Sequence, residues 1–115
     1  LAAHPFVAAL EAAPFTPPTA DEQRVDRAEL RELVRRGLVV EQDGFWFAPK
    51  AVDQAATTVA ALLHAQPAGV TVAEVREALG TTRKWAVPLL NLLDARGVTR
   101  RRDDVRIAGP RLPPA

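Results

Sequence analysis

The 115-residue sequence contains no cysteine. Disulfide staples, thiolate metal sites and cysteine nucleophiles are therefore excluded, and a reducing cytosol fits. Histidine is scarce too. His4 and His64 are the only two, far apart, with no acidic residues gathered at metal-ligand spacing. No metal ligands and no catalytic set are read from these residues, and no cofactor is expected. There is no phosphate-cradling glycine loop, so nucleotide chemistry would lie elsewhere. No apolar run approaches the roughly 20 residues that span a bilayer, no signal-peptide pattern appears, and no membrane partner is expected. The first residue is not methionine; Leu1 reads as a cut point, and the chain as a piece of something longer.

What is present is a folding composition. Hydrophobic residues make up 48% and charged residues 25%, which excludes a disordered chain. The length allows one ordinary domain or two very small ones. Modules of about 50–60 residues are individually marginal and gain from packing on each other. The net charge of +1 conceals an asymmetry: residues 1–69 carry six basic and nine acidic side chains, residues 70–115 nine basic and five acidic. A basic C-terminal half suggests a local anionic partner, against the plainer reading of a solvated charged surface.

Residues 1–20 carry few regular signals. Pro5, Pro14, Pro17 and Pro18 interrupt any long helix, Leu1–Ala3 reads as the last turn of a truncated helix, and Phe6, Leu10 and Phe15 could cover one side of a small core. Asp26 caps a helix over 27–36 whose stripe is Leu30, Leu33 and Val34, ended by Gly37. Asp43-Gly44 between Leu38-Val39-Val40 and Phe45-Trp46-Phe47 predicts a hairpin, with Phe45 and Phe47 on one face. Trp46, on the other face, would pack on the next helix or be exposed. Pro49 opens that helix, which runs to about Gln66.

Val70-Thr71-Val72 is a brief extended stretch. Thr71 and Glu74 form a capping box for a short helix ending at Leu79-Gly80. Thr81 or Thr82 caps a longer helix to about Arg96, with Ala86, Leu89, Leu90 and Leu93 buried and Pro88 bending it. Val98 to Ile107 reads as a second hairpin with Val98, Val105 and Ile107 inward and Arg101-Arg102-Asp103-Asp104 at its tip. The residues beyond, 110–115, look like a frayed tail.

Helix, glycine and hairpin thus occur at 27–47 and again at 82–107, an offset of about 55 residues. That order is the rear half of a winged helix. The sequence predicts a mainly α fold with small β-hairpins, built as tandem winged-helix (helix-turn-helix) modules. One spans 1–48 and lacks most of its first helix; the other spans 49–109.

The candidate binding residues fall in the second module, at Thr81, Thr82, Arg83 and Lys84 opening the long helix and at Arg100, Arg101, Arg102 and Arg106 on the hairpin. A helix N-terminus offers free N–H groups and the positive end of its dipole to a phosphate, and the threonine hydroxyls can donate there too. Arg83 adds a planar fork that suits a phosphate or a guanine edge. Cations at that end oppose the dipole by roughly 0.3–1 kcal/mol each, so an anionic ligand would compensate them. The plain alternatives are an exposed helix start and a surface network of wing arginines with Asp103 and Asp104. Trp85 could stack on a base or fill the core beside Leu89, the spacing favouring the core.

Residues 70–109 also resemble the last winged helix of the bacterial selenocysteine-specific elongation factor. The resemblance rests on Thr82-Arg83-Lys84-Trp85, then Ala86-Val87-Pro88-Leu89-Leu90, then Asp94-Ala95-Arg96-Gly97-Val98-Thr99-Arg100-Arg101, closing with Asp104-Val105-Arg106. His4-Pro5-Phe6 and the stretch from Leu30 to Phe47 resemble the preceding winged helix less closely. Three positions depart from the family pattern. Trp85 stands for the usual tyrosine, Arg102 takes an often apolar position, and Asp103-Asp104 replaces Gly-Asp at the wing tip.

The resemblance implies a cytoplasmic, monomeric RNA-binding module that recognises the selenocysteine insertion hairpin of an mRNA, not an enzyme in itself. In that family GTP, selenocysteinyl-tRNA and the ribosome are engaged through the full-length factor. Arg83 would contact base and backbone with Lys84 beside it, and Arg100, Arg101 and Arg106 fall on wing positions. A DNA-binding regulator and a protein-interaction scaffold are the alternatives. A DNA reader needs a long, straight, basic recognition helix, which Pro88 and the few exposed residues after Lys84 disfavour; a scaffold suits the acidic first module better.

Overall fold

The computed structural model describes residues 4–114; the reading of Leu1–Ala3 as a helix end lies outside them. Five helices and two small antiparallel sheets follow one another among these residues. They are α1 (Pro5–Ala12), α2 (Arg27–Arg35), β1 (Val40–Gln42), β2 (Phe45–Phe47), α3 (Pro49–Ala65), β3 (Val70–Thr71), α4 (Val72–Leu79), α5 (Arg83–Ala95), β4 (Thr99–Arg102) and β5 (Val105–Ala108).

Helix α1 occupies a stretch where the prolines predicted no regular element. Pro5 sits in the first helical turn, where its missing N–H costs nothing. His4 caps the helix, its Nδ1 accepting from the Phe6 N–H while Nε2 lies 2.8 Å from Glu29 Oε2 on α2. Between α1 and α2 the chain makes turns only, closed by reciprocal bonds between Thr19 and Glu22. The Thr19 N–H and hydroxyl hold the Glu22 carboxyl below its ordinary range, helped by the charge of Lys84. Asp26 caps α2 as expected, accepting from the Glu29 N–H at 2.8 Å. Val34, assigned to the buried stripe of α2, is instead 41% exposed, because the first core is filled by Leu30, Leu33 and α1.

Two apolar clusters result. The first holds Phe6, Leu10, Leu30, Leu33, Val39, Ala48 and Ala51. The second holds Phe47, Val52, Val59, Val70, Val75, Leu89, Leu90 and Leu93. Phe6 and Phe47 are wholly buried, each contributing about 1.5–3 kcal/mol of apolar burial. Helix α3 serves both clusters, with Ala51 in one and Val52 and Ala55 in the other. Strand β2 does the same through its pleat. Phe45 and Phe47 face the second cluster, as the alternation predicts, and Trp46 faces the first. Trp46 meets Phe6 edge-on, ring centroids 6.4 Å apart, a partner that could not be foreseen without α1. The turn joining β1 to β2 is Asp43-Gly44, at φ +54° and +80°, both left-handed as a type I′ turn requires.

In the second module the capping box of Thr71 and Glu74 forms, and Glu74 also accepts from the Gln66 amide. The Thr71 N–H, the Gln66 amide and the Thr71 hydroxyl together hold the Glu74 carboxyl below its ordinary range. Gly80 ends α4 in the left-handed region at φ +66°. Helix α5 runs through the buried Pro88, which leaves the Lys84 carbonyl without its usual N–H donor. The sheet has the order β3-β5-β4.

Residues 110–113, expected as part of a frayed tail over 110–115, are held in place; Ala115 lies outside the described residues. The Arg111 N–H donates to the Gly97 carbonyl at 2.8 Å, His64 Nε2 lies 2.9 Å from the Pro113 carbonyl, and Leu112 packs on the second core. The crossing is tight: a Cβ on Gly109 would stand 2.3 Å from the Gly97 carbonyl oxygen. Backbone cannot yield as a flexible side chain can, so Gly109→Ala is expected to cost about 1–3 kcal/mol, read as a lower urea midpoint. An unchanged midpoint would show that the crossing is loose.

Candidate nucleic-acid interface

Helix α5 begins without a side-chain cap. Thr82 is its N-cap residue and is exposed, with its hydroxyl free of any capping bond. The N–H groups of Arg83 and Lys84 precede the first helical acceptor and have no partner within the helix. Arg83 is exposed, and its side chain borders a groove of about 440 Å³ between α5, the start of α4 and the second hairpin. Val87, Asn91, Arg101, Asp104 and Arg106 line the same groove.

The hairpin register sorts the wing arginines. Arg101 lies opposite Arg106, while Arg100 lies opposite Ile107 and Arg102 opposite Val105. Directly opposed residues share a face and successive residues alternate. Arg101 and Arg106 therefore face α5, and Arg100 and Arg102 face away from it. All of Arg100, Arg101 and Arg102 are exposed. The wing thus presents Arg101 to the groove and Arg100 and Arg102 on its outer face.

Arg106, expected among the exposed binding residues, is instead withdrawn from the surface. It is a buried group, with its side chain 6% exposed against 24% for its partner Asp94. Its Nε and Nη2 donate to Asp94 Oδ2 at 3.2 and 3.0 Å, and Nη2 also donates to Asn91 Oδ1 at 2.9 Å. Thr99 donates to the other Asp94 oxygen at 2.6 Å. Of the residues expected inward, Val98 is buried, but along the paired strands the alternation is inverted: Thr99 and Arg106 are buried, whereas Val105 and Ile107 are half-buried. The reason is Asp94 on α5, a carboxylate that both polar groups can satisfy. Neither Asp103 nor Asp104 forms an ion pair with a wing arginine among the described residues; the nearest link is Arg101 Nε to the Asp103 carbonyl at 3.4 Å. Asp103 opens the tip at φ +54°.

Two other predicted residues turn towards the first module. The Thr81 hydroxyl donates to the Phe15 carbonyl, so it joins the modules and its proton is not available to a phosphate. Lys84 is exposed, with Nζ 4.8 Å above the Trp85 ring, and its charge is felt by Glu22. Trp85 is half-buried against the second core, its Nε1 buried without a hydrogen-bond partner among the described residues. Asn91 was passed over in the sequence because it shows only as one exposed polar residue on the helix. Its Nδ2 donates to Asp43 Oδ2 at the tip of the first hairpin, 2.8 Å away.

Helix, wing and groove define a winged-helix protein in which an uncapped, cationic helix start borders the groove. Residues 61–108 match the family model described as elongation factor SelB, winged helix. The chain is similar to the mRNA-binding domain of elongation factor SelB from E. coli, a structure solved in complex with SECIS RNA. The TM-score is 0.68 at 24% identity, covering 78% of each chain. It is also similar to a bacterial selenocysteine-specific elongation factor, EF-Sec, with TM-score 0.71 and 18% identity, over 89% of this chain and 17% of that one. At such identities these two likenesses establish the fold. No curated protein matches the sequence. No helix among the described residues is long and apolar enough to cross a membrane.

The buried pair carries a stability prediction. Arg106→Met would leave the Asp94 carboxylate half-buried and unpaired, a loss of about 2–3 kcal/mol after allowing for its partial exposure. Arg106→Lys should recover part of this, since one ammonium replaces a fork. Denaturation midpoints decide; a midpoint unmoved by Arg106→Met would mean the pair does not hold the wing.

Proposed function

We propose that this chain is the RNA-binding module of a selenocysteine-specific translation elongation factor, and that its second winged helix grips the selenocysteine insertion hairpin of an mRNA. The observation that carries this reading is the groove where the uncapped start of α5, Arg83 and Arg101 come together. The relative from E. coli, whose structure holds SECIS RNA, supports the choice of ligand. Free N–H groups and the Thr82 hydroxyl take one phosphate, Arg83 grips that phosphate or a guanine edge, and Arg101 meets the strand from the wing. Arg100 and Arg102 meet phosphates on the outer face, and Lys84 adds charge beside the site. Arg106 and Thr81 hold the site in shape.

A hairpin suits this surface better than a DNA major groove. Past its first turn α5 offers a DNA reader no exposed cation, because Asp94 is bonded to Arg106 and the next cation is Arg96, just beyond its end. A short groove with a cationic rim suits phosphates and one splayed loop or bulge base. The module works as a cytoplasmic, monomeric binder without a cofactor. GTP, selenocysteinyl-tRNA and the ribosome are engaged by the full-length factor.

Binding to an insertion hairpin and to a DNA duplex of matched length, at two salt concentrations, tests the reading. Preference for the hairpin is expected, and equal binding to the duplex would replace it with a DNA-binding role. Arg83→Ala should weaken hairpin binding by about 1–3 kcal/mol, and an unchanged affinity would remove Arg83 from the site. Arg101→Ala should reduce the salt slope by about one unit, as loss of one phosphate contact does. The same slope after the change would give Arg101 no phosphate.

A further inference from the structure

One polar side chain in the groove is not used by the reading above. Asn91 lies on the wall of α5 that Arg83 opens, and it lines the same cavity. Its amide has one allowed orientation. The Asp43 carboxylate can only accept, so the group facing it is Nδ2. The Arg106 guanidinium can only donate, so the group facing it is Oδ1. A flipped amide would set donor against donor and acceptor against acceptor. With those two bonds made, Asn91 still has one N–H and one oxygen lone pair. A donor and an acceptor on one amide are the set with which such a side chain grips a base edge, above all the amino group and ring nitrogen of adenine.

We infer that Asn91 is the base-discriminating residue of the groove, taking an extruded adenine, and that Asp43 from the first wing is its positioning residue. The inference rests on the RNA-binding reading. It assigns the first module a part in specificity without requiring that the module touch this base. Asp43 stands at φ +54° in the turn between β1 and β2, a position that asparagine and glycine also occupy readily. Asp43→Gly and Asp43→Asn therefore both preserve the turn, and both remove the same negative charge from beside the RNA. They differ in one respect: the new amide oxygen in Asp43→Asn can still accept from Asn91, and glycine offers nothing.

The experiment measures affinity for a panel of insertion hairpins in which each unpaired base is A, G, C or U in turn, with the melting temperature of every variant as a folding control. The parent chain should prefer adenine at one unpaired position by about tenfold. Asn91→Ala should abolish that preference and leave the salt slope unchanged, since no charge is lost. Asp43→Gly should reduce the preference by roughly two- to tenfold, the worth of one net hydrogen bond, while Asp43→Asn retains it. A preference that survives Asn91→Ala, a parent chain that binds hairpins without preferring any base, or equal effects of Asp43→Gly and Asp43→Asn would each overturn the inference. A parent chain that binds no hairpin at all would overturn the RNA-binding reading, and this inference with it.

Discussion

The guanidinium of Arg106 ties three parts of the molecule together. It sits on β5, bonds Asp94 and Asn91 on α5, and through Asn91 reaches Asp43 on the first hairpin. Thr99 on β4 closes the remaining side of Asp94. A buried ion pair adds little net stability, since desolvation of both charges offsets most of their attraction. What it adds here is geometry. The planar fork accepts few arrangements of its partners, so this side chain ties wing to helix in a fixed geometry beside the groove that Arg83 and Arg101 border.

The two modules meet through elements that serve both. Helix α3 gives Ala51 to the first core and Val52 to the second, and β2 sends Trp46 one way and its two phenylalanines the other. Thr81 bonds the Phe15 carbonyl, and Lys84 stands near enough to Glu22 to act on its carboxyl. Two cores of this size are each marginal. Sharing a helix and a strand lets each supply the apolar surface the other lacks, and it places the first wing tip beside the groove of the second module.

Much of this was legible along the chain. Asp26, Gly37, Asp43-Gly44, Pro49, Thr71 with Glu74, Gly80 and Gly97 are local signals, and each acts through its own backbone or that of residues three or four away. They mark where helices and turns lie because their physics needs no distant partner. The likeness to a winged helix followed from their order. Helix α1 was missed because Pro5 reads equally as a helix breaker and as the first residue of one. Nothing nearby decides between them; burial of Phe6 against Trp46 does.

The candidate binding residues divide along the same line. That Arg83 opens a helix and that arginines crowd the last hairpin is written in the order of the residues, because helix starts and strand pairs are short-range features. Which arginine faces the groove, which faces away and which is buried was decided only by the tertiary structure. Alternation fixes which residues share a face but not which face is turned inward, and the carboxylate of Asp94 turned Arg106 inward against the hydrophobic pattern. The part played by Asn91 depends on Asp43 and Arg106, distant residues that only folding brings to the two ends of its amide.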